Sequence, residues 1–400
     1  MWPWWSPCRP GATISLGEGA ARAAATRTAD PATGHRTGRA AKLDTVAEKQ
    51  AFPWGPGTAT GVGSMPGENP LEAARIIAGE LPDLPHLAEL PNRGPGADIT
   101  GRAAALLVDL PVELAGPRGW RIAERPGRDV RRARSLLSSD LDAMEEALDG
   151  YEGPLKIQLA GPWTLAATIE QPRSLNPALA DPGLVADLTS SLAEGVATHV
   201  AEVAKRVPKA TLIVQFDEPS LPAVLRGAVP TPSGLSRVRA VDEEVVRDRL
   251  HEVLAATRKY SVVHCCSQEL PFGIIMGAGA DAVSFDPSQL RRGDFDGFAE
   301  AAEAGAGLLV GALPTTGPQG LDTDRRRGRD ESQRPTPSDT AGIVRDLWRK
   351  MDLPSAQCAP QVVITPACGL PGASPAQARE ALRWCREAAA ILPEMMEELS

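Results

Sequence analysis

The chain has few cysteines and no long apolar run. Six cysteines among 400 residues are too few for the disulfide framework that stabilises small secreted proteins. No window approaches the ~20 consecutive apolar residues that a membrane-spanning helix needs. Basic residues are also outnumbered, because 42 Lys and Arg face 51 Asp and Glu, and the net charge of -9 argues against nucleic-acid binding. We therefore expect a cytoplasmic protein that keeps its thiols reduced and binds neither a membrane nor a nucleic acid.

Residues 1–50 differ in composition from the rest of the chain. They are rich in Arg, Ala, Gly, Thr and Pro, and they show no sustained apolar period. Their opening residues lack the continuous apolar stretch of a signal peptide. We expect a disordered tail or an over-extended start over residues 1–50, followed by one catalytic barrel over residues 51–400.

Beyond residue 56 the chain alternates short apolar runs with amphipathic helical stretches. Several runs are continuously apolar, which is typical of parallel strands that are covered on both faces. Eight such strands, each followed by a helical crossover, predict an α/β fold with a single (β/α)8 TIM barrel. A doubly wound open sheet is the alternative, but no Gly-x-Gly-x-x-Gly fingerprint follows an early strand. The predicted strands cover residues 58–64, 84–90, 155–160, 211–217, 261–266, 282–286, 307–312 and 361–365.

Two further local signals concern the connections between strands. The connection over residues 91–153 is longer than one crossover and is expected to carry a short hairpin, with helical periodicity only from Asp140 to Leu148. The final helix is predicted to begin after Ser374, because Ser374-Pro375 is a suitable cap and first-turn pair.

Reactive side chains recur at the carboxyl ends of the predicted strands, where barrel enzymes carry their chemistry. This agreement between strand ends and side-chain chemistry predicts an active site at that end of the barrel. In strand order the side chains are Ser64, Glu89, Asp217 with Glu218, His264 with Cys266, Asp286, and Cys368.

His264, Cys266 and Cys368 are the metal-type residues of this set. One imidazole and two thiolates can bind one zinc ion and leave its fourth position for a carboxylate, a water or a substrate. Cys265 and Cys266 point to opposite faces of their strand, and only Cys266 shares a face with His264. A single histidine or cysteine of this kind is more often structural, so the prediction depends on the convergence of all three residues.

Five short motifs follow one another along the predicted barrel. They are Gly63-Ser-Met-Pro66, Gly161-Pro-Trp-Thr164, Asp217-Glu-Pro219, His264-Cys-Cys266 and Pro366-Ala-Cys-Gly-Leu370. Each motif is weak alone, but their order and rough spacing resemble those of one family across residues 56–399. That family is the C-terminal catalytic barrel of cobalamin-independent methionine synthase. The resemblance implies a zinc-dependent methyltransferase that moves a methyl group from a folate or corrinoid donor to a thiol, homocysteine, and so forms methionine.

The resemblance also implies roles for individual residues. Ser64 and Asp217 would hold the amino-acid part of homocysteine, because a carboxylate suits an ammonium and a hydroxyl suits a carboxylate. Glu113, matched by approximate spacing alone, is a second candidate partner for the ammonium. Trp163 is a candidate platform on which a flat donor such as a pterin would stack. Asp217 and Glu218, in the Asp-Glu-Pro turn, are the candidate catalytic residues.

Two departures from the family pattern concern the metal and the donor. The implied zinc ligands are His264, Cys266 and Cys368 with Asp286, although the family has a glutamate at the last of these positions. Full-length members also carry a second barrel that helps to hold the folate donor, and these 400 residues hold one barrel. We therefore leave the methyl donor open between a folate and a corrinoid.

Structural alternatives exist for the candidate residues. His264 could be a buried core histidine, Asp286 could cap the following helix, and the Asp-Glu-Pro sequence could be only a turn. A metal-free enzyme like uroporphyrinogen decarboxylase is a second functional hypothesis. A non-catalytic zinc-containing barrel that binds a ligand is a third.

Overall fold

The computed structural model describes residues 51–114, 119–315 and 336–398. The predicted tail over residues 1–50 lies outside the described residues. The strands are β1 Val112–Leu114, β2 Trp120–Ile122, β3 Gly153–Ala160, β4 Ala210–Asp217, β5 Tyr260–Cys265, β6 Ala282–Phe285, β7 Gly307–Leu313 and β8 Val362–Pro366. The helices are α1 Pro70–Glu80, α2 Ile99–Leu106, α3 Arg128–Ala147, α4 Pro162–Thr168, α5 Pro182–Arg206, α6 Leu221–Leu225, α7 Glu243–Thr257, α8 Phe272–Gly277, α9 Asp294–Glu303, α10 Pro337–Lys350, α11 Ser355–Gln361 and α12 Pro375–Glu397.

Strands β3 to β8 form one parallel sheet in which neighbours in space are also neighbours in the chain. All five strand pairs are parallel, and helices lie between the strands in sequence. This order places each crossover between adjacent strands, as in the wall of a barrel. The α/β class is therefore confirmed, and six of the eight predicted strands form the sheet.

The first two predicted strands, residues 58–64 and 84–90, are extended segments without continuous ladders. Single parallel bridges join Ala59 to Ile364 of β8, Ser64 to Glu89, and His86 to Lys156 of β3. The segments contain glycines and prolines, which weaken strand ladders. We call residues 58–64 and 84–90 the first and second edge segments. The prediction of a complete (β/α)8 barrel is confirmed only for the six laddered strands.

The two faces of the sheet have different chemistry. One face packs against the helices in a large hydrophobic cluster that includes Leu155, Ile157 and Leu159 of β3. On the other face, the amino-terminal ends of the strands contribute to a smaller apolar cluster with Trp54 and Leu84. Toward the carboxyl ends this inner face becomes polar. Along β4, for example, Ile213 is followed on the same face by Gln215 and Asp217.

The connection between the second edge segment and β3 differs in part from its prediction. The expected hairpin is confirmed, because β1 and β2 pair in antiparallel register. Helix α3 begins at Arg128, twelve residues before the predicted start at Asp140. Its first half buries only Val130, Ala133 and Leu137. Because arginines and serines surround these three residues, the apolar stripe is too narrow to predict a helix from the sequence.

None of the helices among the described residues is long and apolar enough to cross a membrane.

Candidate active site

The carboxyl ends of β4 and β5 lie side by side. The register pairs Asp217 with His264, and the Glu218 backbone N–H donates to the His264 carbonyl at 2.7 Å. On the other side of β4, the Gly161 N–H donates to the Asp217 carbonyl at 3.0 Å. Strand pairing therefore fixes the backbone on which the candidate acid and histidine are carried.

Cys266 follows β5 and Cys368 follows β8, three strands further along the sheet, and the fold brings the two together. Their sulfur atoms are 3.8 Å apart, whereas the S–S bond of a disulfide is about 2.05 Å long. Two thiolates at about 2.3 Å from a tetrahedral zinc ion would be separated by roughly 3.8 Å. The spacing of the two thiols therefore fits one edge of a zinc site.

His264 and Asp286 are the other two predicted metal ligands. His264 Nδ1 lies 2.9 Å from the Ser284 hydroxyl, a contact that can fix the ring tautomer. Within residues 51–114, 119–315 and 336–398, no group of three or more His, Cys, Asp or Glu side chains is arranged to hold a metal ion. Among these residues the structure brings the two thiols together, and zinc ligation by His264 stays a prediction.

Asp286 makes the capping contact that was considered as an alternative. Its Oδ1 accepts from the Ser288 backbone N–H at 2.8 Å, and it is the N-cap of a short 3-10 turn over Pro287–Gln289. A cap occupies the carboxylate with the local backbone. Zinc ligation by Asp286 stays a prediction.

Cys265, the last residue of β5, and Cys266, which follows it, lie on different faces of the sheet. Cys265 belongs to the large hydrophobic cluster between the sheet and the helices, whereas Cys266 contacts Cys368. This arrangement agrees with the sequence argument that only Cys266 shares a face with His264.

Ser64 lies where two of the sequence motifs meet, beside the acid at the end of the second edge segment. Its hydroxyl donates to Glu89 Oε2 at 3.0 Å, and its carbonyl accepts from the Leu370 N–H at 2.8 Å. Glu89 is only 2% exposed. Sequence reasoning noted Glu89 as a strand-end acid but gave it no role. The signal was a carboxylate at the end of an apolar run, opposite the serine that ends the preceding run.

Glu113 occupies a different environment from the one expected for an ammonium partner. It is exposed on β1 and lies opposite Arg121 of β2 in the hairpin. Among the described residues, no hydrogen bond or ion pair joins Glu113 to Ser64 or Asp217. Glu89 is the acid that contacts Ser64, and a role for Glu113 as a second partner of the ammonium stays a prediction.

Glu218 holds the turn between β3 and α4. Its carboxylate accepts from the Trp163 N–H at 2.9 Å and from the Thr164 N–H and hydroxyl at 2.7 and 2.8 Å. A Cβ atom at Gly161 would lie 2.3 Å from Glu218 Oε1, so this turn requires glycine. Burial raises the pKa of Glu218 to about 7, and the donors from Trp163 and Thr164 oppose that rise. Glu218 acts here as a structural cap, which does not support its predicted catalytic role.

Trp163 is fully buried, with 0% of its surface exposed. Its indole N–H donates to the Val246 carbonyl of α7 at 3.1 Å. A stacking platform needs an accessible ring face, and this ring packs inside the protein. This burial argues against the prediction that Trp163 stacks on a flat methyl donor.

Lys156 is a buried lysine whose charge interacts with the acids Asp217 and Glu89. Lys156 is 0% exposed, and its Nζ donates to the Val62 carbonyl at 2.8 Å. Burial lowers the pKa of Lys156 to about 8, and the charges of Asp217 and Glu89 oppose that change. For Asp217, burial followed by the charge of Glu89 raises the pKa well above its usual value, while Lys156 lowers it. The acids and the lysine therefore act on one another electrostatically.

A network of buried ion pairs extends from Glu89 through Arg102 to Asp140. Arg102 Nε lies 3.6 Å from Glu89 Oε1, and the same guanidinium pairs with Asp140 of α3. Arg93 also pairs with Asp140, at 2.5 Å. All four side chains are nearly excluded from solvent, and such buried pairs depend strongly on each partner being present.

Comparison with known proteins identifies the family. The family described as cobalamin-independent synthase, catalytic domain, matches residues 57–391. A B12-independent methionine synthase from Shewanella sp. W3-18-1 in complex with selenomethionine is 12% identical, with 86% of this chain and 100% of that chain covered and a TM-score of 0.53. A D-psicose 3-epimerase in the presence of D-fructose is 11% identical over 64% of this chain and 84% of that chain, with a TM-score of 0.31. No curated protein matches the sequence.

The parallel sheet, with thiols and acids at its carboxyl ends, defines an α/β enzyme whose chemistry lies at the strand ends. The chain belongs to the cobalamin-independent synthase family, because the family match covers most of its length. It is accordingly an S-methyltransferase of the methionine synthase type. The similar methionine synthase structure, at low identity, supports the fold.

Proposed function

We propose that this protein transfers a methyl group to the thiol of homocysteine at a zinc site that includes Cys266 and Cys368. The sulfur–sulfur distance of 3.8 Å is the observation that carries the proposal. It fits the edge of a tetrahedral zinc site, and it joins residues from two motifs that the family shares. Family membership favours this function over the metal-free decarboxylase hypothesis.

The zinc ligands in this proposal are His264, Cys266 and Cys368, with Asp286 as the fourth. When bound, zinc would supply Lewis acidity that keeps the acceptor sulfur in its reactive thiolate form near neutral pH. Ser284, at 2.9 Å from His264 Nδ1, would hold the imidazole in one orientation. Cys265, on the other face of β5, has no part in the site.

The amino-acid portion of homocysteine would lie against Ser64, Glu89 and Asp217. The contact between Ser64 and Glu89 shows that the first two of these side chains are close, and the electrostatic influence of Glu89 on Asp217 links the two acids. Two carboxylates suit the substrate ammonium, and the Ser64 hydroxyl is a donor for its carboxylate. The acceptor would thus be oriented before its sulfur reacts.

Several broader predictions belong to the same proposal. The two edge segments would complete a (β/α)8 barrel with β3–β8, within a catalytic domain over residues 51–400. The methyl donor would be a folate or a corrinoid, bound at the same end of the strands. The enzyme would act in the cytoplasm, on small molecules.

The test combines metal analysis with a transfer assay. The reduced protein is expected to hold about one zinc per chain and to methylate homocysteine with a methyl-folate or a methyl-corrinoid. Cys266→Ser and Cys368→Ser should each lose zinc and lower the rate at least about 100-fold, since a ligand is removed. Cys265→Ser is the matched control and should keep both properties.

Two results would overturn the proposal. One is a protein that takes up no zinc even after reconstitution under reducing conditions. The other is a zinc-loaded protein that methylates no homocysteine with either donor.

A further inference from the structure

The first edge segment, which carries Ser64, is held by backbone hydrogen bonds near its two ends and by side chains from inside the sheet at Val62. Its ladder contacts are limited to the bridges of Ala59 and Ser64, whereas β3 and β4 pair along eight residues each. Around Ser64 itself, backbone hydrogen bonds run to Glu89 and Leu370, and neither partner belongs to β4. The link between this segment and Asp217 at the end of β4 comes from side chains.

The Val62 carbonyl, two residues before Ser64, is the point at which those contacts converge. Lys156 Nζ donates to it at 2.8 Å, and Gln215 Nε2 donates to it at 3.0 Å. The same Gln215 amide donates to Asp217 Oδ1 at 2.6 Å. A continuous hydrogen-bonded chain therefore runs from Lys156 through Val62 and Gln215 to Asp217.

The buried charge gives the first link of this chain its strength. Lys156 is completely buried, and an ammonium donor makes a stronger hydrogen bond to a carbonyl than a neutral donor does. Burial lowers its pKa to about 8, so most of the side chain is an ammonium at neutral pH. Burying a charged lysine costs free energy. The charges of Asp217 and Glu89, at the carboxyl ends of their segments, offset that cost.

We infer that Lys156 is a positioning residue of the acceptor site: it fixes the turn that carries Ser64 at a set distance from Asp217. Lys156 reaches the acceptor only through Val62 and so acts without touching it. This inference rests on the proposed function, because Ser64 and Asp217 are there the residues that hold homocysteine. It predicts an effect on acceptor binding that is separate from any effect on stability.

The experiment measures the KM for homocysteine, the KM for the methyl donor, and kcat for three variants. Lys156→Met keeps the length of the side chain and removes the donor. The KM for homocysteine should rise about tenfold, as expected for one lost charged hydrogen bond, while the KM for the donor stays within about twofold. Gln215→Met removes the other donor to Val62 and also the bond to Asp217, without changing a charge, and should shift the same constant in the same direction and at least as far.

Thr60→Val is the matched control. Thr60 is also fully buried, and its hydroxyl donates to the Leu84 carbonyl at 2.8 Å, so it links the two edge segments at the end far from Ser64. It should lower the melting temperature and leave both KM values unchanged. If Lys156→Met does not fold, Gln215→Met decides the outcome against the same control.

Two results would reject the inference. In one, the folded Lys156→Met and Gln215→Met enzymes keep the wild-type KM for homocysteine. In the other, Thr60→Val raises that KM as much as they do, which would show that any loosening of the segment suffices. A wild-type enzyme that does not methylate homocysteine would instead reject the proposed function.

Discussion

The laddered strands β3–β8 and the two edge segments contribute different parts of one site. The ladders hold Asp217 and His264 in register and end beside the two thiols that lie 3.8 Å apart. The edge segments, with single bridges, end at Ser64 and Glu89. The groups that would bind metal therefore lie mostly on regular backbone, and two of those that would bind the acceptor lie on irregular backbone.

This difference shows two ways of fixing a side chain. In the ladders, each residue is held by hydrogen bonds between neighbouring strands, which depend little on side-chain identity. In the edge segments, Lys156, Gln158 and Gln215 donate to carbonyls of Val62 and Leu87. Because these bonds come from particular side chains, single substitutions inside the sheet should disturb the acceptor residues more than the thiols.

The largest expected loss of stability is at the end of a ladder. Glu218→Ala leaves three buried donors without their acceptor, at Trp163 and Thr164, and should lower the free energy of unfolding by about 3 kcal/mol. Denaturation in urea measures it. Asn69→Ala, which removes the exposed cap of α1, is the control and should cost about 1 kcal/mol. Equal losses in the two variants would show that Glu218 holds nothing beyond an ordinary cap.

In the first edge segment, stability depends on the lack of space beside the backbone of Gly61. A Cβ atom at Gly61 would lie 2.2 Å from His86 Nε2, inside the protein, so Gly61→Ala should lower the free energy of unfolding by about 2 kcal/mol. Gly79→Ala, in α1, meets no atom within 4 Å and should raise stability by about 0.5 kcal/mol. Thermal or urea unfolding of both variants tests this. A neutral Gly61→Ala would mean that the segment moves freely away from His86.

The ion-pair network behind Glu89 predicts a dependence on pH. Burial, with the charge of Arg102 added, lowers the pKa of His199 on α5 from 6.5 to about 3. The unfolded chain therefore binds an extra proton between these pH values, so His199 contributes stability that is lost as the pH falls below 6.5. Relative to His199→Leu, wild-type stability should fall by about 1.4 kcal/mol per pH unit in that range. Parallel pH profiles of the two proteins would contradict this prediction.

The smallest change in stability is expected at Ser64 itself. Ser64→Ala removes one partly buried hydrogen bond to Glu89, so the free energy of unfolding should change by less than about 1 kcal/mol while the KM for homocysteine rises about tenfold. Steady-state kinetics measure the second effect. Ser190→Ala removes a serine–glutamate bond on the surface, to Glu252, and should change neither quantity. An unchanged KM in Ser64→Ala would remove Ser64 from the acceptor site.

The regular part of the fold was predictable because its signals are local. Continuous apolar runs indicated strands at 211–217 and 282–286, close to the observed Ala210–Asp217 and Ala282–Phe285. Ser374 caps the final helix, which begins at Pro375 as predicted. Alternation along β5 also distinguished Cys266 from Cys265 before any contact was known.

The structure gives least support to the predictions that depend on burial and long-range contacts. The Gly-Pro-Trp-Thr and Asp-Glu-Pro motifs at strand ends favour functional roles for Trp163 and Glu218, yet both side chains are buried and bonded to neighbouring backbone. Glu113 was matched by spacing, which cannot show that β1 is exposed. Lys156 and Glu89 gave only weak signals, since a lysine or a glutamate within an apolar run has no special spacing.

By itself, the sequence determined the α/β class, the approximate bounds of the six laddered strands and of several helices, and the thiols and acids available at the strand ends. These features follow from side-chain period, caps and turns, which act within a few residues of the chain. Only the tertiary structure decided which of those groups meet. Cys266 and Cys368 are 102 residues apart in sequence, and Lys156 and Val62 are 94 apart. Such contacts arise from the packing of distant segments against one another and from competition for buried hydrogen bonds, and no local pattern encodes them.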